Sequence, residues 1–152
     1  MNKNLIYLLI LVFISVNVCS ADINLLFNDI DEASGLITGR TNPDLLYSHN
    51  DSGGKASICL LNTKGEKKGE WLLNNAQNRD WEEIGISTEN KKNYIFIGEI
   101  GDNQAKYSQC CFYKFEEPLY NPKKPELSIK NIQKINFRYE NGPRDAEAFF
   151  ID

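Results

Sequence analysis

Short apolar runs alternate with turn residues along most of this chain, and no stretch sustains the period of a long amphipathic helix. The runs read "LLYSHN", "ASICLLN", "EWLLN", "YIFIGEI", "CCFYKF" and "IQKINFRYE", broken by "NP", "SGG", "TKG", "GDN", "EEP" and "NGP". Runs of this length between Gly, Pro, Asn and Asp clusters predict strands, so the fold class is all-β. The predicted strands cover 33–39, 44–50, 56–62 and 69–74, then 81–87, 93–99, 110–116 and 130–139.

Three segments align without gaps: "EASGL" at 32–36, "DWEEI" at 80–84 and "DAEAF" at 145–149. Each starts on an acid, carries a hydrogen-bonding side chain two residues later and ends apolar. The two-residue period of a strand points Glu32 with Ser34, Asp80 with Glu82, and Asp145 with Glu147. The same step of 19 residues leads from Glu32 to Asp51 and from Asp80 to Glu99, whereas from Asp145 it passes the last residue. Repeated four-stranded antiparallel units of this size predict a β-propeller-like architecture. About two blades are expected, at about 32–75 and 80–140, plus the first strand of a third at 144–152. Eight strands could also form a sandwich, but a sandwich gives no reason for the acids to recur.

In a propeller the starts of first strands and the ends of second strands open on one mouth. That mouth would gather Glu32, Ser34, His49, Asn50, Asp51, Asp80, Glu82, Asp102, Asn103, Arg144, Asp145 and Glu147. Two carboxylates about 5 Å apart repel by roughly 3 kcal/mol at an effective dielectric near 20. Hard oxygen ligands would relieve this best with Ca²⁺, for which Asp51, Asp80, Glu99 and Asp145 are the candidate ligands. Arg79 and Arg144 offer a second answer, since each precedes an acid and a guanidinium pairs well with carboxylate. Three readings stay open: acids that only salt-bridge and cap turns, acids that hold a divalent metal or cationic ligand, and acids that act in catalysis. His49, Asp51, Ser34 and Ser52 include the residue types of a hydrolytic triad, yet no nucleophile elbow surrounds either serine. His49 reads better as a hydrogen-bonded strand residue near the rim. Trp71 and Trp81 read as fillers between blades. The sequon "NDS" at 50–52 reads as a chance match, because a glycan there would block the mouth.

The N-terminus changes where this chemistry would operate. Lys3, the run "LIYLLILVFISV" and the small residues "CSA" have the layout of a signal peptide at 1–21, cleaved after Ala21. A lipid anchor would use Cys19, but Val18 suits that processing poorly. The remainder, 22–152, is expected to form one domain, extracellular or periplasmic, with no membrane attachment after cleavage. The whole chain has 17 basic and 21 acidic residues, and losing Lys3 leaves 16 basic ones and a net charge of −5. That balance argues against nucleic acid. Cys59, Cys110 and Cys111 remain; one bridge from Cys59 to the adjacent pair is permitted, but three small buried side chains are the favoured reading. With a single histidine, His49, no Cys/His spacing resembles a zinc site.

Taken together, "EASGL", "NPDLLYSHNDSGG", "NRDWEEI", "GEIGDN", "EEP" and "YENGPRDAEAFFID" resemble a functionally uncharacterised family of secreted six-bladed β-propellers. The likeness covers nearly all of 32–152, and it is more distantly similar to TolB-like propellers and calcium-dependent propeller phytases. It implies a secreted propeller-type binding module for a small or polar ligand, with an acidic axial mouth that takes a divalent metal. The alternative it implies is a fragment of a metal-dependent hydrolase of the phosphoesterase type, with a carboxylate activating water. A phosphate enzyme should also bring Lys or Arg to its mouth, where only Arg79 and Arg144 are candidates. Glu83 and Glu99 stand where the family pattern has aspartates. Family members continue for further blades, so three readings stand for this chain: a truncated product, which is favoured, a fragmentary gene model, or a half that self-associates with other copies through open blade edges.

Overall fold

The computed structural model describes residues 30–151; the expected signal peptide at 1–21 and its cleavage point lie outside them. The described residues are all-β. The strands are β1 (Ala33–Thr38), β2 (Leu45–Asn50), β3 (Ser57–Asn62), β4 (Lys67–Leu73), β5 (Trp81–Glu89), β6 (Lys92–Glu99), β7 (Cys110–Glu116), β8 (Glu126–Ile129) and β9 (Gln133–Phe137). They form two sheets, ordered β1-β2-β3-β4-β8 and β5-β6-β7-β9. Neighbouring strands pair antiparallel, except that β8 runs parallel to β4.

The two-residue alternation accounts for the stacking. Register aligns Tyr47 with Leu60 on β2–β3 and Ile58 with Trp71 on β3–β4, so these side chains share one face. Across from them stand Trp81, Ile84, Ile86, Ile95, Ile97, Tyr113 and Phe115 of the second sheet, in one continuous core. Trp71 and Trp81 are fully buried there, against Tyr47 (ring centroids 5.1 Å apart) and Tyr113 (6.0 Å) respectively. Each large apolar side chain so buried contributes about 1.5–3 kcal/mol. Cys59, Cys110 and Cys111 are buried, and no disulfide joins them.

Three features depart from the expectation. The first unit is five-stranded rather than four-stranded. The chain between β7 and β9 crosses to the first sheet, where Trp71 pairs with Leu127 and Leu73 with Ile129. The Asn74 N–H donates to the Ile129 carbonyl (2.9 Å), and Ile129 enters the core. This strap covers an edge that would otherwise present unpaired backbone groups. Second, the last strand spans Gln133–Phe137 and not 130–139, because 130–132 forms the return from β8. Third, the segment expected to begin a third unit forms no strand within 144–151. It lies on the second sheet by side-chain contacts, described below. Among the described residues, no helix is long and apolar enough to cross a membrane.

Candidate functional site

Backbone hydrogen bonds weave the start of β5 between two turns. Trp81 N–H donates to the Asp51 carbonyl (2.7 Å), and Gly101 N–H donates to the Asp80 carbonyl (3.3 Å). Asp80 also forms an isolated antiparallel bridge with Ser52. A β-bulge follows between Trp81 and Glu83, leaving Glu82 without a cross-strand partner, a device often found beside functional sites. As the strand period demands, Asp80 and Glu82 converge, and Asp51 joins them from the turn after β2. One carboxylate oxygen from each of the three lies within 4.8 Å of the others. Glu82, Asp145 and Glu147 form a second such group, so Glu82 belongs to both. Gly101 is what lets the turn after β6 approach, since a Cβ there would collide with the carboxylates of Glu82 and Asp80.

Charge is poorly balanced in this cluster. Glu82 is only 7% exposed, Asp51 and Asp80 are half-buried, and Asp145 and Glu147 are exposed. Among the described residues the one hydrogen-bond donor from outside the cluster to any of these five carboxylates is the Asp102 N–H, to Asp145 Oδ1 at 2.7 Å. The buried Oδ1 of Asp51 has no hydrogen-bond partner among the described residues. Burial, a carboxyl–carboxyl hydrogen bond with Glu147 and the charges of Asp51, Glu147 and Asp80 push the Glu82 pKa up to about 8. Burial and the charges of Asp51 and Asp145 raise Asp80 as well. At neutral pH the cluster therefore retains a proton that isolated carboxylates would have lost. Its donor set is carboxylate oxygen throughout, which fits a hard divalent cation.

Arg79 lowers the Asp80 pKa by its charge, but among the described residues neither arginine forms an ion pair with any of the five acids. The Arg79 guanidinium stacks 4.0 Å above the Tyr107 ring, donates to the Gln109 carbonyl (3.4 Å) and approaches Glu99 (3.8 Å). Arg144 is exposed.

Glu99 does not belong with Asp51, Asp80 and Asp145. It is buried on the core side, where it accepts from Trp81 Nε1 at 3.2 Å. The cause is register. Ala33 pairs with Asn50 and Trp81 pairs with Glu99, so Asn50, and not Asp51, is the counterpart of Glu99. The β5–β6 hairpin turns tightly through Asn90 and Lys91, both with positive φ, whereas a longer loop joins β1 to β2. Equal spacing in sequence therefore reaches different levels.

The remaining expected residues serve as supports. Glu32 is exposed and uses its carbonyl to hold Asp51 N–H (2.9 Å). Ser34 Oγ donates to the Glu82 carbonyl (2.7 Å). His49, 1% exposed, donates through Nδ1 to the Asn50 carbonyl (3.0 Å), and burial lowers its pKa, so it stays neutral beneath the strand ends. The Asn50 carbonyl also accepts from Asn78 Nδ2 (2.9 Å), a brace that no sequence signal announced. Burial opposes the charge on Asp102, but the N–H groups of Lys106 (2.9 Å) and Tyr107 (2.7 Å), together with Arg79, hold its pKa below the usual value. Asp102 is thus committed to its own turn, and Asn103 is exposed.

Asp145 and Glu147 arrive on the segment after β9, and Phe149 anchors it. Its ring lies over Gly85 and Gly98, where an added Cβ would come within 2.7 and 2.9 Å of it, and meets Phe112 edge-on (4.9 Å). The previous copy of the motif behaves alike. Ile84, the fifth residue of "DWEEI" as Phe149 is of "DAEAF", lies over Gly35 of the first sheet, 3.0 Å from where a Cβ would stand. No protein-family model, curated protein or solved structure matches the chain.

Proposed function

We propose that this chain is a secreted, propeller-type binding module whose acidic mouth holds a divalent cation, with Ca²⁺ the best-matched ion. One observation carries the reading: four carboxylates, of Asp51, Asp80, Asp145 and Glu147, gather around that of Glu82, with a single donor from outside the cluster among the described residues. Asp51, Asp80 and Glu82 would hold the ion, and Asp145 and Glu147 would close over it. The propeller reading draws on the repeated seating of an acid-x-acid-x-apolar segment upon the preceding sheet, first by Ile84 and then by Phe149. Stacking of successive sheets with one recurring contact is how blades associate. Binding ranks ahead of phosphoester hydrolysis because the Arg79 guanidinium is stacked on Tyr107 and approaches Glu99 rather than pairing with any of the five acids.

Isothermal titration of the purified protein with CaCl₂ tests this. The expected result is saturable binding, with an affinity between about 10⁻⁷ and 10⁻³ M, that disappears in Glu82→Gln. Absence of heat and of competition by a lanthanide would sink the cation reading.

A further inference from the structure

We propose that the segment 144–151 is a cation-dependent clasp: an ion held by Asp51, Asp80 and Glu82 seats Asp145 and Glu147, and with them Phe149, on the second sheet, and loss of the ion releases all three. This inference rests on the cation reading above.

The segment's mode of attachment motivates it. Residues 144–151 form no strand and so have no backbone ladder to hold them. The segment is held down by the Asp102 N–H on Asp145 Oδ1, by the carboxyl–carboxyl hydrogen bond between Glu147 and Glu82, and by the Phe149 ring in the slot over Gly85 and Gly98, with Ile151 beside it on Gly85. Against them stand the charges of Asp145 and Glu147, brought beside acids that already crowd one another. The cluster also contains carboxylate oxygen with nowhere else to turn. Glu82 is more than nine-tenths buried and its side-chain hydrogen-bond partner is another acid, Glu147, while Asp51 Oδ1 is buried without a partner among the described residues. A divalent ion there reverses the sign of the interaction, so that the two acids which repel the segment become the two that retain it. The ion and the ring then act on one lever, since Glu147 and Phe149 are two residues apart and point the same way along extended chain. Release would open an apolar slot floored by Gly85 and Gly98 and walled by Phe112, which the seated ring fills.

Chymotryptic cleavage after Phe149, timed by the mass of the C-terminal product, reads the clasp directly. Cleavage in the exposed connection around Leu119 controls for the protease in each buffer. Excess Ca²⁺ should slow cleavage after Phe149 at least tenfold relative to chelator while leaving the control unchanged. The double variant Asp145→Asn/Glu147→Gln keeps the Asp51–Asp80–Glu82 group; it should still bind Ca²⁺ by titration but lose the protection. Phe149→Leu, which keeps a cleavable apolar residue, should show partial protection only. Ca²⁺ binding with no change in cleavage would overturn the clasp and leave the cation reading intact. Equal protection with and without Ca²⁺ would overturn it too. Absence of Ca²⁺ binding in the parent protein would remove both.

Discussion

Glu117 and Glu82 are buried to nearly the same degree, 5% and 7% exposed, one beside the loop leading into β2 and the other beside the turn leaving it. Their surroundings differ completely. The Glu117 carboxylate accepts from Thr41 N–H (2.7 Å), Tyr47 O–H (2.8 Å), Arg40 N–H (3.3 Å) and Asn42 Nδ2 (3.4 Å). Those donors belong to the first sheet and its loop, while Glu117 follows β7 of the second, so one carboxylate fastens the two sheets at that end. Burial and the adjacent Glu117 raise the Tyr47 pKa, which keeps the phenol a donor. Glu82 has no such ring of donors and faces other acids. A buried carboxylate satisfied by protein donors is structural, whereas one facing only its own kind is poised for a proton or a cation.

The comparison breaks first at Glu117. Glu117→Ala leaves buried donors unpaired and should lower unfolding free energy in urea by about 3–5 kcal/mol, the range for stripping a partner from a buried polar network. The loss should be the same with Ca²⁺ or chelator. A loss under about 1 kcal/mol would mean that the clamp is not what joins the sheets. At the other end the largest effect should come from the ion itself. Ca²⁺ at a hundredfold excess over Kd should add about 2.7 kcal/mol by mass action, and Glu82→Gln should abolish this gain. Without the ion, Glu82→Gln should cost nothing measurable or stabilise slightly, opposite in sign to Glu117→Ala. Gly101→Ala should destabilise by about 1–3 kcal/mol through overpacking and blunt the Ca²⁺ response, since the new Cβ collides with both carboxylates.

Acidity sharpens the same contrast. The Glu82 pKa is raised from the ordinary 4.5 to about 8, so between those values the folded state binds more protons than the unfolded chain. Its contribution is fully present below about pH 4.5 and is lost as pH rises through 8, so in chelator the slope of stability against pH should be negative across that window. Glu82→Gln should flatten the slope, and Ca²⁺ should reverse it by favouring the ionised form. The smallest effect belongs to the strap: Tyr120→Phe removes an exposed bond to the Lys68 carbonyl (2.8 Å) and should cost about 1 kcal/mol or less.

Alternation of apolar and polar residues made most strands legible, along with the burial of Trp71 and Trp81, because strand period and core face are local properties. Convergence of Asp80 with Glu82 and of Asp145 with Glu147 was legible for the same reason. Glu99 was misplaced because register follows turn geometry, and a tight Asn90–Lys91 turn carries the level of Asp80 past it. β8 escaped notice because four residues with a single core side chain, Ile129, give no periodic signal. Glu117 looked like part of the break "EEP", since its donors lie about 75 residues away on another sheet. The side-chain attachment of 144–151 was equally hidden, as the glycines that receive Phe149 sit on β5 and β6.

The most direct test is thermal unfolding of the purified protein in Ca²⁺ and in chelator, alongside Asp80→Asn. The account predicts one cooperative transition that Ca²⁺ raises by several degrees in the parent protein and leaves unmoved in Asp80→Asn. A cooperative transition indifferent to Ca²⁺ in both proteins would contradict it, and would make the acids at this end structural like Glu117.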